Sequence, residues 1–408
     1  MLKINLHKCT IPLATMLLAG TSIYTGKANN PDQTVKTEFK SESYADNVSK
    51  DAKTSSNILQ IKKNLQQVNP NNINPTPIWS EGAERNIRII VLPKSENTQA
   101  DILLHNEMQA LGNKLGFTVA HTNTLPAAFN WLEDYGIRRA DGKLYILPPL
   151  NKCRDIPYNQ NTEVNSKISS RIASYANPTT IVKGKSYLEG GDVLNTLNKN
   201  GEAAAVIGSA TINYSLRSMG LTDTPQNREI VKKQVAEDLG LKLNNVTYIP
   251  QFDFHIDMFY RPLKNGEIAI PDYLEAIKIL KNTKIANLDI KNKQALINNL
   301  TKAYKTYSLC IKKAEEKLTK DGYKLKRIPC FSLPTDMGIK SGINYANGIC
   351  GKDKNGKYYI ITNKSKYKEL DEQVVKYFKA AGLDDVYFVS TQEMLDIDGG
   401  LDCITQEF

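Results

Sequence analysis

The sequence predicts an α/β fold in which one supersecondary unit is repeated about a common centre. Two observations carry this prediction. An Asn/Asp-Gly dipeptide enters an apolar, β-prone run four times: Asp141-Gly142 before LYILPP, Asn200-Gly201 before AAAVIG, Asn265-Gly266 before IAIP and Asn355-Gly356 before YYIIT. Such a dipeptide is the strongest short-range hairpin signal, because the tight turn needs positive φ at its central residues. Each run is then followed by residues at helical spacing and by a further strand. Repetition in a fixed order points to a radial or stacked architecture rather than an open doubly wound sheet.

The elements follow in order. Asn86–Pro93 (NIRIIVLP) reads as a buried opening strand, and Ala100–Leu115 as a helix stopped at Gly116. Phe117–Ala120 is the next strand. After the first, second and fourth hairpins come the helical patterns Thr162–Tyr175, Asn227–Leu241 and Lys368–Gly382. After the third, Tyr273–Gly322 holds two or more helices, read as a Lys-rich helical insertion at about 273–322. The helices feed the strands TTIVKG, VTYIP, YKLKRIP and DVYFV. Four units are explicit, and a fifth closes if the C-terminal segment meets NIRIIVLP.

Composition bounds the remainder. A chain of 408 residues with 41% hydrophobic residues suits a soluble globular core. The net charge of +10 comes from scattered lysines, which reads as a solvated basic surface and not as a nucleic-acid interface. No apolar run downstream of the N-terminus has the length of a membrane helix. Residues 1–28, with Lys3 and Lys8 before an apolar stretch, resemble a signal peptide, so the expected location is secreted or periplasmic. Residues 29–78 read as a flexible polar leader with a short helix near Ile58–Gln67. Residues 79–408 form the expected catalytic domain. Removal of the leader leaves five cysteines, an odd number, and Cys403 is the expected free thiol. Cys153, Cys310, Cys330 and Cys350 are candidates for pairing, with no pairing specified.

The chemistry lies just ahead of each hairpin. The successive stretches are Trp131–Gly136 (WLEDYG), Leu188–Asp192 (LEGGD), Phe254–Met258 (FHIDM), Asn344–Gly348 (NYANG) and Gly399–Cys403 (GGLDC). Units arranged about an axis would bring carboxylates, an imidazole, an amide and a thiol together. His255 and Asp257, two apart on an expected strand, would share a face. His105 and His121 have no second polar signal beside them. Cys403 with His255 is the minimal pair for nucleophilic thiol chemistry with acid–base assistance. Asp134, Glu189 and Asp257 around that pair suit a cationic substrate, above all a planar guanidinium that two carboxylates can clamp. A net charge of +10 requires such a pocket to be locally acidic. With one histidine available, no metal and no cofactor are assigned.

WLED, LEGGD, FHID, NYAN and GGLDCITQ, in this order, resemble the guanidino-group-modifying (pentein) superfamily, and most of all the agmatine and peptidylarginine deiminases. The resemblance spans roughly Asn86 to Gln406. It implies a five-bladed pseudo-symmetric α/β propeller (pentein) with the site on its axis. It also implies Cys403 as nucleophile, His255 as acid/base, Asp134 and Asp257 as guanidinium clamp, Glu189 as orienting group and Asn347 as a pocket residue. Arg154 falls about where the peptidylarginine branch places a substrate-carboxylate arginine; a surface role reads equally well. Glu189 and Asp192 are also readable as caps of a Gly-Gly turn.

The sequence departs from that pattern in places. Glu133 stands where arginine is usual, Asp402 where histidine is common, and Asp155 rivals Asp134 as the first clamp carboxylate. Asp402 is expected to raise the thiol pKa or to favour a more cationic ligand. The implied activity is a deiminase acting on a guanidino small molecule or an arginine-containing peptide or protein. An amidinotransferase and a non-catalytic binding module are the alternatives, and a homo-oligomer is left open.

Overall fold

A computed structural model describes residues 80–93, 98–122, 131–146, 181–264, 266–396 and 399–408, all within one compact unit, Pro75–Phe408. The expected signal peptide, the leader with its helix at 58–67, the helix at 162–175, Cys153, Arg154 and Asp155 lie outside the described residues. Among the described residues no helix is long and apolar enough to cross a membrane.

The strands are β1 (Ile89–Pro93), β2 (Thr118–Thr122), β3 (Ile137–Arg138), β4 (Leu144–Ile146), β5 (Ile181–Lys183), β6 (Val193–Leu197), β7 (Ala203–Gly208) and β8 (Val246–Ile249). They continue with β9 (Arg261–Pro262), β10 (Glu267–Asp272), β11 (Lys324–Pro329), β12 (Ile349–Lys352), β13 (Tyr358–Asn363), β14 (Asp385–Val389) and β15 (Gln406–Glu407). They form five three-stranded sheets, ordered β3-β4-β5, β6-β7-β8, β9-β10-β11, β12-β13-β14 and β15-β1-β2. In each, the first pair is antiparallel and the second parallel.

The antiparallel pairs of the first four sheets are the hairpins read from Asn/Asp-Gly. Gly142, Gly201, Gly266 and Gly356 have φ of 80°, 75°, 65° and 80°, a region open to glycine without a Cβ penalty. The fifth sheet is built from both ends of the unit: β15 pairs with β1 through Ile90↔Glu407 and Val91↔Gln406.

Helices make the parallel crossovers. α1 (Gln99–Leu115) joins β1 to β2, capped by the Thr98 hydroxyl and ended by Gly116 at φ 99°. α2 (Ala210–Ser218) and α3 (Pro225–Leu239) join β7 to β8, while α4 (Tyr273–Asn282) and α5 (Ile290–Lys320) join β10 to β11. α6 (Lys368–Ala380) joins β13 to β14, and the short α7 (Gln392–Leu395) precedes the last loop. The segment read as an insertion at 273–322 is therefore the crossover of its own unit, made of two helices where α6 suffices elsewhere. Its N-caps are Asp272 and Asp289, each accepting from an amide three residues on. The middle strands are buried runs such as AAAVIG and YYIIT, as strands covered on both faces require.

Hydrogen bonds tie neighbouring sheets. Ala140 N–H donates to Leu239 O (2.9 Å), Gly266 N–H to Leu197 O (3.1 Å), and Lys352 N–H to Arg85 O (2.8 Å). Arg261 Nε donates to Ala346 O (3.2 Å), and Gln406 Nε2 to Gly136 O (3.0 Å). Cys310, Cys330 and Cys350 are buried, and these three candidates for disulfides do not pair with one another.

Candidate active site

The loop after β14 carries Cys403 and is held by two asparagines: Asn363 Oδ1 accepts from the Leu401 amide (2.9 Å), and Asn347 makes the contacts at the nucleophile. Asn347 Oδ1 accepts from the amides of Asp402 (2.9 Å) and Cys403 (3.5 Å). Its Nδ2 donates to Cys403 Sγ (3.1 Å) and to Asp257 Oδ2. Asn347, expected to line the pocket, is fully buried, and its amide instead fixes the nucleophile loop. Gly400 makes this approach sterically feasible: a Cβ there would lie 2.4 Å from Asn347 Oδ1. The Cys403 thiol donates to Asp257 Oδ2 at 3.2 Å.

The imidazole has a separate set of partners. His255 Nε2 lies 3.1 Å from Glu189 Oε2 and 4.0 Å from Asp134 Oδ1. The other Glu189 oxygen accepts from the buried Tyr187 hydroxyl at 2.6 Å, which fixes the carboxylate. Asp192 accepts from Gln251 Nε2 at 2.6 Å. Gly191 presses on the histidine, since a Cβ there would lie 2.3 Å from Nδ1. Among the described residues no hydrogen bond joins His255 to Cys403. The site has a thiol half and an imidazole half, each with its own carboxylates.

His255 and Asp257 do not lie on a strand, as their spacing suggested. Gly191 O accepts from the amides of both Ile256 (2.9 Å) and Asp257 (3.1 Å), and Ile256 O accepts from Phe259 and Tyr260. The segment therefore turns between β8 and β9, sending the two side chains to the two halves. Asp134 sits in a single 3-10 turn, Leu132–Tyr135, just ahead of the β3–β4 hairpin. That turn is tied to the nucleophile loop: Glu133 N–H donates to Cys403 O (3.3 Å), and Gln406 Nε2 reaches Glu133 O (3.5 Å) and Gly136 O. The glutamine of the CITQ stretch thus bridges the last sheet to the first hairpin, a role that local pattern does not reveal.

Asp402 has a buried counter-ion. It pairs with Arg261, whose Nη1 also contacts Glu81 Oε2 at 3.2 Å; the arginine is fully buried. The extra acid beside the nucleophile is thereby neutralised from below, and it is only a minor contributor to the rise in the thiol pKa. Nothing in the sequence around Arg261 announces this partnership across 141 positions.

The electrostatics follow from burial. Desolvation, then the Asp257 and Glu133 carboxylates, push the Cys403 thiol well above its ordinary pKa. Burial opposes charge on His255, but Asp134, Glu189 and Asp192 outweigh it and hold the imidazole pKa well above its usual value. Desolvation raises Asp134 to about 7, with His255 working against the rise. Burial likewise lifts Glu81 to about 8 and Asp402 to about 7, although Arg261 lowers both.

These groups give a pH dependence of one sign. Carboxyls with raised folded pKa values bind more protons in the folded than in the unfolded state between about pH 4 and 8. The raised His255 acts in the same direction above its unfolded value. Stability is therefore expected to fall as pH rises through that window. Thermal melts at pH 5, 6.5 and 8 check this; a melting temperature that climbs from 5 to 8 would contradict it.

Glu133, Asp257 and Cys403 place donor atoms within 4.8 Å of one another, and among the described residues they are the group with metal-ligating geometry. The Asn347 amide N–H donor points at Asp257 Oδ2 and Cys403 Sγ, where a cation would need those atoms' lone pairs. The lone pairs left over, those of Asp257 Oδ1 among them, can accept N–H bonds from an organic cation.

No family model and no curated protein matches the sequence. Solved structures do resemble the chain. A putative arginine deiminase from Porphyromonas gingivalis has a TM-score of 0.51 at 16% identity, with 81% of this chain and 97% of that chain covered. An agmatine deiminase of Enterococcus faecalis has a TM-score of 0.51 at 12% identity, covering 82% of this chain and 96% of that one. At such identity the shared property is the fold.

Proposed function

We propose that the protein is a cysteine-dependent deiminase that hydrolyses a guanidino group to a ureido product and ammonia. The observation that carries this is the two-part site: a thiol bonded to Asp257 and Asn347, facing an imidazole held by Glu189 and Asp134. The five sheets are read as the blades of a five-bladed propeller. The hydrogen bonds that link each sheet to the next, and β15 to β1, support that reading. The fold is shared with solved structures named as agmatine and arginine deiminases, which favours a small guanidino substrate. Export through the N-terminal segment, and action on peptidylarginine, belong to the same proposal as extensions of it.

The chemistry follows from the charges. Asp134 and Asp257 accept N–H bonds from the guanidinium and fix its carbon near Sγ. The positive charge so introduced favours the thiolate that the empty site disfavours. The thiol proton passes to solvent, Sγ forms a bond to the guanidinium carbon, and the C=N π pair moves onto nitrogen. The carbon–nitrogen bond then breaks, and His255, positively charged among its carboxylates, donates the proton that lets ammonia leave. Water then gives a proton to the neutral imidazole and adds as hydroxide to the same carbon; the carbon–sulfur bond breaks as the carbonyl forms, and the hydroxyl proton returns to the released thiolate. Among the described residues no hydrogen bond joins the imidazole to the thiol, as a reacting group seated between them requires.

The test is ammonia release by the purified protein offered agmatine, arginine, methylated arginines and an arginine peptide. Release from one of them, with a thiouronium adduct on Cys403 seen by mass spectrometry, supports the reading. Transfer of the amidino group to an added amine without ammonia release would replace it with an amidinotransferase. Silence on all four substrates with no adduct would leave a binding module.

Gly400→Ala tests the role given to Asn347. The added methyl would force Asn347 Oδ1 away and displace the thiol, and a shift of about 1 Å can cost about 10²-fold in turnover. Unchanged kcat in this variant would show that Asn347 does not set the position of Cys403.

A further inference from the structure

Glu133 occupies the position where the resemblance leads one to expect arginine, and the structure places it against the nucleophile. Its backbone is held from three sides: its N–H donates to Cys403 O, its carbonyl accepts from Gln406 Nε2, and Gly190 packs on it so closely that a Cβ would lie 2.3 Å from Glu133 O. The side chain is partly buried, and its carboxylate lies within 4.8 Å of Cys403 Sγ and of an Asp257 oxygen. Asp257 Oδ1 is buried beside it with no hydrogen-bond partner.

We propose that Glu133 is a specificity-determining residue that makes Cys403 select cationic amidine-type electrophiles over neutral ones of the same shape. Burial, Asp402 and Asp257 hold the Glu133 carboxyl well above its ordinary range, so it ionises late; once ionised it opposes a further negative charge on the thiol, and a neutral reagent meets a protonated sulfur. A cation seated among Asp257 and Glu133 cancels their opposition while it is attracted by them. The groups that face Glu133 are Asp257, Asp402, Glu81 and Arg261, and those that face the thiol are Asp257, Glu133 and Asp402. The one positive charge in either set, Arg261, is already paired with Asp402 and Glu81. Selectivity for charge thus falls to the ligand. This inference rests on the reading of the site as a cation-binding thiol, but not on turnover.

The experiment compares alkylation of Cys403 by 2-chloroacetamidine, a cation, and by 2-chloroacetamide, its neutral counterpart, from pH 6 to 10. In the wild type the amidine is expected to react faster, and the amide rate to rise only at high pH. In Glu133→Gln the amide profile should move to lower pH by about one unit, which is about a tenfold faster rate below both midpoints. The preference for the amidine should fall by about the same factor or more. Glu133→Asp, which keeps the charge, should retain part of that preference. Equal slowing with both reagents, an unchanged ratio, or an Asp variant indistinguishable from Gln would overturn the proposal. Should the Gln variant fail to fold, the wild type decides: no preference for amidine over amide sinks the idea. Glu133-dependent preference without ammonia release from any guanidino substrate would uphold this inference while removing the hydrolase reading.

Discussion

Cys403→Ala is expected to reduce ammonia release to background, a loss of about 10⁴-fold or more, because no other described nucleophile shares the site. The same variant should bind a guanidino ligand at least as well as the wild type. The alanine removes the thiol donor from Asp257 Oδ2, which keeps the Asn347 amide, so the guanidinium can reach both carboxylate oxygens. One was already unpartnered. The measurement is turnover beside calorimetric binding of the substrate identified in the panel. Substantial ammonia release from the alanine variant would remove covalent catalysis from the account. Lost binding with lost turnover would instead show that the thiol is part of the ligand clamp.

Arg261→Leu should have the largest effect on folding. The guanidinium is fully buried between Glu81 and Asp402, and its Nε bonds Ala346 O. Removing one partner of a buried ion cluster costs about 3–5 kcal/mol, because the remaining charges are left without compensation. Here two carboxyls would be stranded, with Glu133 nearby. Both can take up protons, so the loss should be smaller at pH 5 than at pH 9. Denaturant midpoints at the two pH values measure it. A loss under about 1 kcal/mol at pH 9 would mean that the cluster is hydrated and not load-sharing.

The repeat was legible because each of its parts has a local signal. An Asn/Asp-Gly turn, an apolar run and an amphipathic helix are all read from neighbouring residues. The stretches ahead of the hairpins were legible for the same reason, and the structure brings Asp134, Glu189, His255, Asp257, Asn347 and Cys403 together from five of them. What the sequence hid depends on contacts between units. Strand geometry for His255 and Asp257 failed because one distant carbonyl, Gly191 O, captures two successive amides. Asn347 was legible as a site residue, but its hydrogen bonds to the amides at 402 and 403 were not, because they depend on the close approach that Gly400 allows. Tyr187, Gln406 and Arg261 carried no motif of their own. Asp402 looked like a site carboxylate because its counter-ion lies 141 positions away. Arg154 and Asp155 lie outside the described residues, and Asp134 alone of the two rival carboxylates has a described position.

The pairing of β15 with β1 also has a kinetic consequence. It joins residues 90 and 407, nearly the full span of the folded unit. Closing so long a loop precedes any reward from the contact, so this sheet should be among the last to form. The loop that carries the nucleophile runs directly into the strand that makes that closure. Reactivity of Cys403 toward an amidine reagent should then emerge with the slowest refolding phase, after most helical signal has recovered. The thiol becomes, in effect, a reporter of completed folding.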